Sequence, residues 1–264
     1  MGSEPHEDAV ALLGACAWPS EAYWRLLELA AVRPHLHDVA DPVLELGCGD
    51  GLFTALTGLR VDLAVDRQPR AVKRAAARRS VYRAVRQTDI RDLDASLGPF
   101  GTIFTNSVLE HVLDIDSVLE RARELLAPGG RLIATVPLRE MNGHLTVGMA
   151  AYVRARQSQL QHRNLWTIDE WRARLGAAGL TIARTDLYLD ALACRRWDRL
   201  DAAGALGVGR YRVAPVIHRL AGVILPASLR RGVKARIASV LLDWACRPVE
   251  EPFCAAVLVA TKHA

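Results

Sequence analysis

The run Val43-Leu44-Glu45-Leu46-Gly47-Cys48-Gly49-Asp50-Gly51 joins an apolar stretch to an acid and then to glycine at every second position. A chain turning this sharply out of an extended run needs residues free to take φ > 0 and to let a ligand lie on bare backbone. The helix-like segment that follows would aim its unpaired N–H groups, and the positive end of its dipole, at whatever sits there. These are the residues of a cradle for a nucleotide-type ligand, and the spacing narrows the choice. A dinucleotide fingerprint is G-x-G-x-x-G, whose last glycine permits close helix–strand packing. Here the pattern is G-x-G-x-G, and Leu52 stands where that glycine would fall. No Lys-Ser or Lys-Thr follows, so a phosphate loop of the G-x-x-x-x-G-K-[ST] kind is absent.

The elements that position this loop alternate along the chain. Strands are expected at 43–47, 61–65, 82–86, 101–105 and 131–136, with helices over 53–59, 69–79 and 115–126 between them. That rhythm predicts an α/β fold, a doubly wound and mostly parallel sheet covered on both faces. A helix over 18–34 precedes it, starting at Trp18-Pro19-Ser20 and ended by Pro34, and residues 1–17 are expected to be frayed or weakly helical. Trp18, Tyr23 and Trp24 read as core packing. After Pro137 the pattern loosens into a long connection, 138–165, holding His144, Met149, Tyr152 and His162. Thr167, with Glu170 three residues on, reads as a helix cap. Strands over 180–189 and 253–261 make seven in all. The segment 191–250 is expected to be a helical insertion within one domain, because the last strand must return to the sheet.

Further residues complete a recognisable constellation. Asp66 ends the second strand, Asp89 follows the third, Asn106-Ser107-Val108-Leu109-Glu110-His111-Val112 follows the fourth, and a Leu-Ala-Pro-Gly-Gly-Arg-Leu run ends at Leu132. With E-x-G-x-G-x-G ahead of them, these motifs resemble those of the class I S-adenosylmethionine-dependent methyltransferases in residue type, order and spacing. The likeness covers roughly residues 40–137 well and 165–190 plausibly. Gly101 departs from it, since many members place an acid there.

The resemblance implies a Rossmann-like methyltransferase fold and a cofactor site. Gly47, Cys48, Gly49 and Gly51 would form the loop that takes the amino-acid tail, and Glu45 would compensate its ammonium. Asp66 would hold the ribose and Arg67 lie on the adenine. Asp89 would meet the adenine amino group, with Ile90 as an apolar wall, and Asn106 would line the same cleft. The implied reaction is direct displacement at the methyl carbon, for which the protein must align the acceptor and exclude water. General-base candidates are His111, His144 and His162. The implied acceptor is a small molecule: a natural product, a sugar or glycan precursor, or a lipid-linked compound, the His162–Thr167 segment and basic tail resembling enzymes of glycan and secondary-metabolite pathways. The competing readings are an NAD-dependent oxidoreductase, which the missing third glycine opposes, and a non-catalytic cofactor-binding partner subunit.

Composition bounds the partners. Five cysteines are scattered without a C-x-x-C pair, which fits a reducing compartment and argues against a zinc site. No metal is expected. The start of the chain lacks a basic region before an apolar run, and no apolar run reaches the ~18–20 residues of a membrane span, so a cytoplasmic protein is expected. Residues 191–250 hold eleven Lys or Arg against four Asp or Glu, while the whole chain carries +5. Apolar stretches flanked by this charge suit packing on the chain's own domain, a face shared by two copies, or peripheral contact of 210–245 with an anionic membrane. Nucleic acid is not expected, because few aromatics stand ready to stack on bases.

Overall fold

The computed structural model describes residues 5–16, 18–37, 39–146, 150–205, 207–208, 211–212 and 226–263. Its strands are β1 (Val43–Leu46), β2 (Val61–Asp66), β3 (Tyr82–Gln87), β4 (Phe100–Asn106), β5 (Leu126–Pro137), β6 (Leu180–Asp190) and β7 (Phe253–Lys262), besides a two-residue pairing of 207–208 with 211–212. They form one seven-stranded sheet in the order β3-β2-β1-β4-β5-β7-β6. The first five pair in parallel; β7 runs antiparallel between β5 and β6. The strand order reverses at β1, so the chain crosses from one half of the sheet to the other beside the glycine loop, the place where open α/β sheets hold ligands.

Alternation of side chains sorts the core into two layers. Val43, Ala64, Phe104, Ile133 and Val257 face a layer completed by α1 (Pro5–Ala15), α2 (Pro19–Val32), α3 (Leu52–Thr57), α4 (Pro69–Ala76), α8 (Ala191–Ala205) and α9 (Ala227–Ala245). Leu44, Leu63, Ile103, Leu132 and Leu258 face the other layer, closed by α5 (Ile115–Leu125) and α7 (Ile168–Ala177), with the fully buried Trp171 at its centre. The expected capping box at Thr167 and Glu170 is formed in both directions. Gly101 has a packing reason: a Cβ there would stand 2.6 Å from the Ala40 carbonyl oxygen, so no side chain, acidic or other, fits at this strand start.

Two expectations fail, and one that left two alternatives open resolves to one of them. Of the frayed and helical alternatives residues 5–15 take the helix, α1, which buries Ala9 and Leu12 in the layer shared with Ala238 and Leu241 of α9, and Asp8 pairs with Arg33 at 2.6 Å. The connection 138–165 contains a 3-10 turn (Arg139–His144) and α6 (Ala150–Leu160). β5 begins at Leu126 and carries Pro128-Gly129-Gly130 inside it, where the register against β4 shifts between Phe100 and Thr102 and Gly129 takes φ 72°. Of the basic segment, α8 and α9 pack on the N-terminal helices: the Trp18 indole N–H bonds the Leu200 carbonyl at 2.6 Å, and Tyr23 meets Trp244 edge-on at 5.7 Å. The stretch 213–225 lies outside the described residues. Among the described residues no helix is long and apolar enough to cross a membrane.

Candidate active site

β1 ends where Gly47, Gly49 and Gly51 take φ of 72°, 55° and 74°. The three are not equivalent. A Cβ at Gly47 would come within 2.5 Å of a Val108 methyl, and one at Gly51 within 2.5 Å of the Tyr82 ring, whereas one at Gly49 would meet nothing within 4 Å. The outer glycines let the loop pack; the middle one faces open space. The Gly49 N–H donates to Asp66 Oδ2 at 2.9 Å, and the Gln68 N–H to Asp66 Oδ1 at 2.8 Å, which ties the loop to the end of β2. Each carboxylate oxygen retains capacity to accept a further hydrogen bond.

A cavity of about 510 Å³ opens at the carboxyl ends of the parallel strands. Gly47, Asp66, Arg67, Asp89, Ile90, Asn106 and His111 all line it. Glu45, Cys48, Gly49, Gly51, His144 and His162 are not in that lining. Glu45 is buried and turned toward α3, where the Thr54 hydroxyl donates to its Oε1 at 2.6 Å; its Oε2 has no partner, and burial pushes its carboxyl up to about 7. The buried Cys48 thiol is pushed up to about 12, which leaves it an inert filler of the loop. A larger cavity, 640 Å³, lies among Asp41, Arg60 and Ser80 at the opposite strand ends, away from all these residues.

Several residues in or behind this cavity escaped the sequence reading. Arg91 grips Asp89 with its Nε and a terminal nitrogen at 2.9 and 2.8 Å, and that guanidinium holds the Asp89 carboxyl down at about 2. Glu28, from α2, is buried against the end of β4. It accepts from the Trp24 indole, the Arg25 guanidinium, the Asn106 amide and the Ser107 hydroxyl, while Asn106 accepts from Thr135 at 2.8 Å. An acid inside Leu26-Leu27-Glu28-Leu29 was the available signal: a charge on the apolar face of a helix must find buried donors.

A second cavity, about 290 Å³, adjoins the first and shares Arg25, Ser107, His111 and Leu160 with it. Its other walls include Glu21, Trp24, Glu110, His162, Trp197 and Asp201. Trp24 thus lines a cavity while packing on Trp197 at 5.2 Å, and Tyr23 alone of the three N-terminal aromatics is fully buried. The structure brings His111 and His162 together, ring centres 5.3 Å apart, but leaves His144 outside both cavities. Burial holds His162 down at about 4, with His111 adding to the effect, and holds His111 below the ordinary imidazole value. Burial also pushes the Glu110 carboxyl up to about 8.

A seven-stranded sheet of this order, with a G-x-G-x-G loop and an acid at the end of β2 around one cavity, defines the class of S-adenosylmethionine-dependent methyltransferases. Residues 21–185 match the family described as "Methyltransferase domain", more than half of the chain, and the chain belongs to that family. Among curated relatives, a ubiquinone biosynthesis O-methyltransferase of Caulobacter sp. (strain K31) is 37% identical over 98 residues, 34% of this chain and 38% of that protein. One of Mesorhizobium japonicum is 30% identical over 166 residues, 60% of this chain and 66% of that protein. The matches thus span about two fifths to two thirds of those relatives' own lengths. Among solved structures, phosphoethanolamine N-methyltransferase 2 of Haemonchus contortus, in complex with S-adenosyl-L-methionine, superposes with a TM-score of 0.54 at 15% identity, covering 90% of this chain and 52% of that one. At that identity the likeness is one of fold. The cofactor that goes with the family is S-adenosylmethionine.

Proposed function

We propose that this chain moves the methyl group of S-adenosylmethionine, by direct displacement, to a hydroxyl oxygen of a small molecule held in the second cavity. The observation that carries this reading is the junction of the two cavities at Ser107 and His111, which gives donor and acceptor adjoining rooms with a common wall. In the donor room Gly47 takes the methionine tail, and Gly49, outside the cavity lining but with open space at its Cα, flanks it. Asp66 accepts from the ribose hydroxyls, and Asp89, already held by Arg91, accepts from the adenine amino group beside Ile90 and Arg67. Glu45 acts from beneath the loop, as a buried negative or neutral group, rather than by direct contact. Trp24 and Trp197 offer flat apolar walls to the acceptor, and His111 and His162 are the groups placed to take its proton. Oxygen is favoured over nitrogen by the names of the two relatives above.

The test supplies isotopically labelled methyl donor with a panel of hydroxylated aromatic, glycosidic and isoprenoid compounds, and follows label transfer by mass spectrometry. Trp24→Ala should raise KM for the acceptor while leaving the affinity for S-adenosylhomocysteine unchanged. An acceptor methylated at nitrogen or carbon, or a Trp24 variant with unchanged KM, contradicts the reading.

Helix α9 favours a second property. Leu229, Val233 and Val240 are exposed at helical spacing, beside Arg230, Arg231, Lys234 and Arg236. Apolar side chains rimmed by cations suit peripheral contact with anionic lipid, which would bring the enzyme to a lipid-linked acceptor. Co-sedimentation with vesicles rich in phosphatidylglycerol, lost on Leu229→Ser/Val233→Ser, supports it. A dimer in gel filtration that these changes dissociate assigns the face to a second copy instead.

A further inference from the structure

We infer that Glu110, His111 and His162 form a binding site for one divalent transition-metal ion, of the Zn²⁺, Co²⁺ or Mn²⁺ kind, on the wall of the acceptor cavity. One donor atom from each lies within 4.8 Å of a donor atom of the others. Bonds of ~2.0–2.2 Å would draw them to roughly 3 Å apart, an adjustment within reach of side-chain rotation. Two imidazoles and one carboxylate suit borderline ions rather than Mg²⁺ or Ca²⁺, and three protein ligands leave open positions for an incoming oxygen.

Two features separate this cluster from a chance gathering of polar groups. The first is its unmet bonding capacity. Glu110 is 2% exposed, yet its Oε2 has no hydrogen-bond partner, and His162 Nδ1 is likewise buried and unpartnered. A native interior seldom leaves such atoms unsatisfied unless something else meets them. The second is the way the ligands are delivered. Glu110 and His111 come from one 3-10 turn, Leu109–His111. His162 comes from far along the chain, yet its position is fixed by that same turn. The N–H groups of Arg163 and Asn164 both donate to the Glu110 carbonyl, at 2.7 and 3.0 Å, and the buried Asn164 amide spans the Leu109 and Val112 carbonyls at 2.7 Å each. His111 Nδ1 faces the Gln161 carbonyl at 3.3 Å, which leaves Nε2, 3.7 Å from Glu110 Oε1, as the nitrogen with a free lone pair toward the cluster. An imidazole oriented by a backbone carbonyl is the usual second layer of a metal site.

The role assigned to the ion rests on the proposed methyl transfer; its presence does not. With both imidazoles bound to the ion they would act as ligands and not as bases; the ion would instead lower the pKa of an acceptor hydroxyl at its open position, and that proton would leave to solvent. The oxygen's electron pair then forms the new C–O bond, the S–CH3 bond breaks, and sulfur keeps that pair as the neutral thioether of S-adenosylhomocysteine.

The experiment uses tag-free protein stripped with a chelator and titrated with Co²⁺ alone, read by visible absorption, and with Zn²⁺ alone, read by calorimetry. One equivalent should bind, and Glu110→Gln and His162→Asn should each weaken it by about 100-fold or more. S-adenosylhomocysteine affinity, measured in parallel without metal, should stay at the wild-type value in His162→Asn, whose site is only half-buried; that variant decides the matter if Glu110→Gln does not fold. Wild-type protein that takes up no ion, or a folded His162→Asn that binds it as tightly as wild type, overturns the site and leaves Glu110 and His111 as a metal-free pair. Loss of S-adenosylhomocysteine binding in the wild type would instead refute the donor reading, with the metal titration still decisive for the site.

Discussion

Replacing each loop glycine by alanine separates folding from ligand binding. All three positions have φ between 55° and 74°, so each alanine adopts a left-handed conformation at a cost of about 1 kcal/mol. At Gly49 nothing lies within 4 Å of the added methyl, and that is the whole expected penalty. At Gly47 the methyl stands 2.5 Å from Val108, a β-branched side chain with little rotational escape, and at Gly51 it stands 2.5 Å from Tyr82 and 3.1 Å from Arg78. Overpacking of that kind adds roughly 1–3 kcal/mol, for totals of about 2–4 kcal/mol. Urea denaturation should therefore rank Gly47→Ala and Gly51→Ala well below wild type, with Gly49→Ala close to it. Calorimetry with S-adenosylhomocysteine should show the reverse for Gly49→Ala: a well-folded protein whose affinity falls by at least about tenfold, because its methyl occupies the space assigned to the methionine tail. A Gly49→Ala protein that binds as wild type, or that unfolds as readily as Gly47→Ala, would refute the division of labour.

Other perturbations test the supporting structure. Glu45 stays protonated in the folded chain up to about pH 7, whereas the unfolded chain ionises near the ordinary carboxyl value. Its favourable contribution is therefore complete at acid pH and is lost as pH rises through 7, by about 3 kcal/mol in total. Glu45→Gln should gain stability over wild type at about pH 8 and lose that gain at about pH 4; a gain that grows toward acid contradicts the burial argument. Asn164→Ala removes the amide donor from the Leu109 and Val112 carbonyls, of which Leu109 keeps the Val112 N–H at 3.3 Å, and should cost ~1–3 kcal/mol in urea unfolding, a loss under about 0.5 kcal/mol being inconsistent with the bridge. Arg156 is 4% exposed and pairs with Asp198 and Asp201 at 2.9 and 2.8 Å. Arg156→Met should therefore destabilise by ~3–5 kcal/mol, and adding Asp198→Leu should restore part of that by removing the stranded charge.

The parallel half of the sheet was legible because β1, β2, β4 and β5 each carry an apolar run and each turn its own punctuation; β3, Tyr-Arg-Ala-Val-Arg-Gln, is a mostly exposed edge strand placed by its position in the alternation. What was missed or left open depended on distant partners. α1 buries only a few side chains, and the face that receives them comes from α9 at the other end of the chain. α6, Ala-Ala-Tyr-Val-Arg-Ala-Arg-Gln-Ser-Gln-Leu, has no apolar stripe and is held by ion pairs and hydrogen bonds to α8, with Arg156 and Tyr152 both reaching Asp198. No periodicity announces a helix anchored that way. The site divides similarly. Asp66, Asp89 and the glycines follow strands at regular places and could be assigned one by one. His162 joins Glu110 and His111 through long-range bonds of its neighbours Gln161, Arg163 and Asn164, so its spacing in sequence carries no signal, and of the three histidine candidates nothing in the sequence set His144 apart as the one left outside.

The proposed methyl transfer requires that the cavity at the carboxyl ends of β1, β2 and β4 hold S-adenosylmethionine, with Asp66 on its ribose. Calorimetric titration of S-adenosylhomocysteine into wild type and Asp66→Ala decides it. Two hydrogen bonds to a charged acceptor are at stake, each worth ~1.5–3 kcal/mol, so the variant should bind at least about tenfold more weakly while remaining folded. Equal affinity in the two proteins would place the cofactor elsewhere.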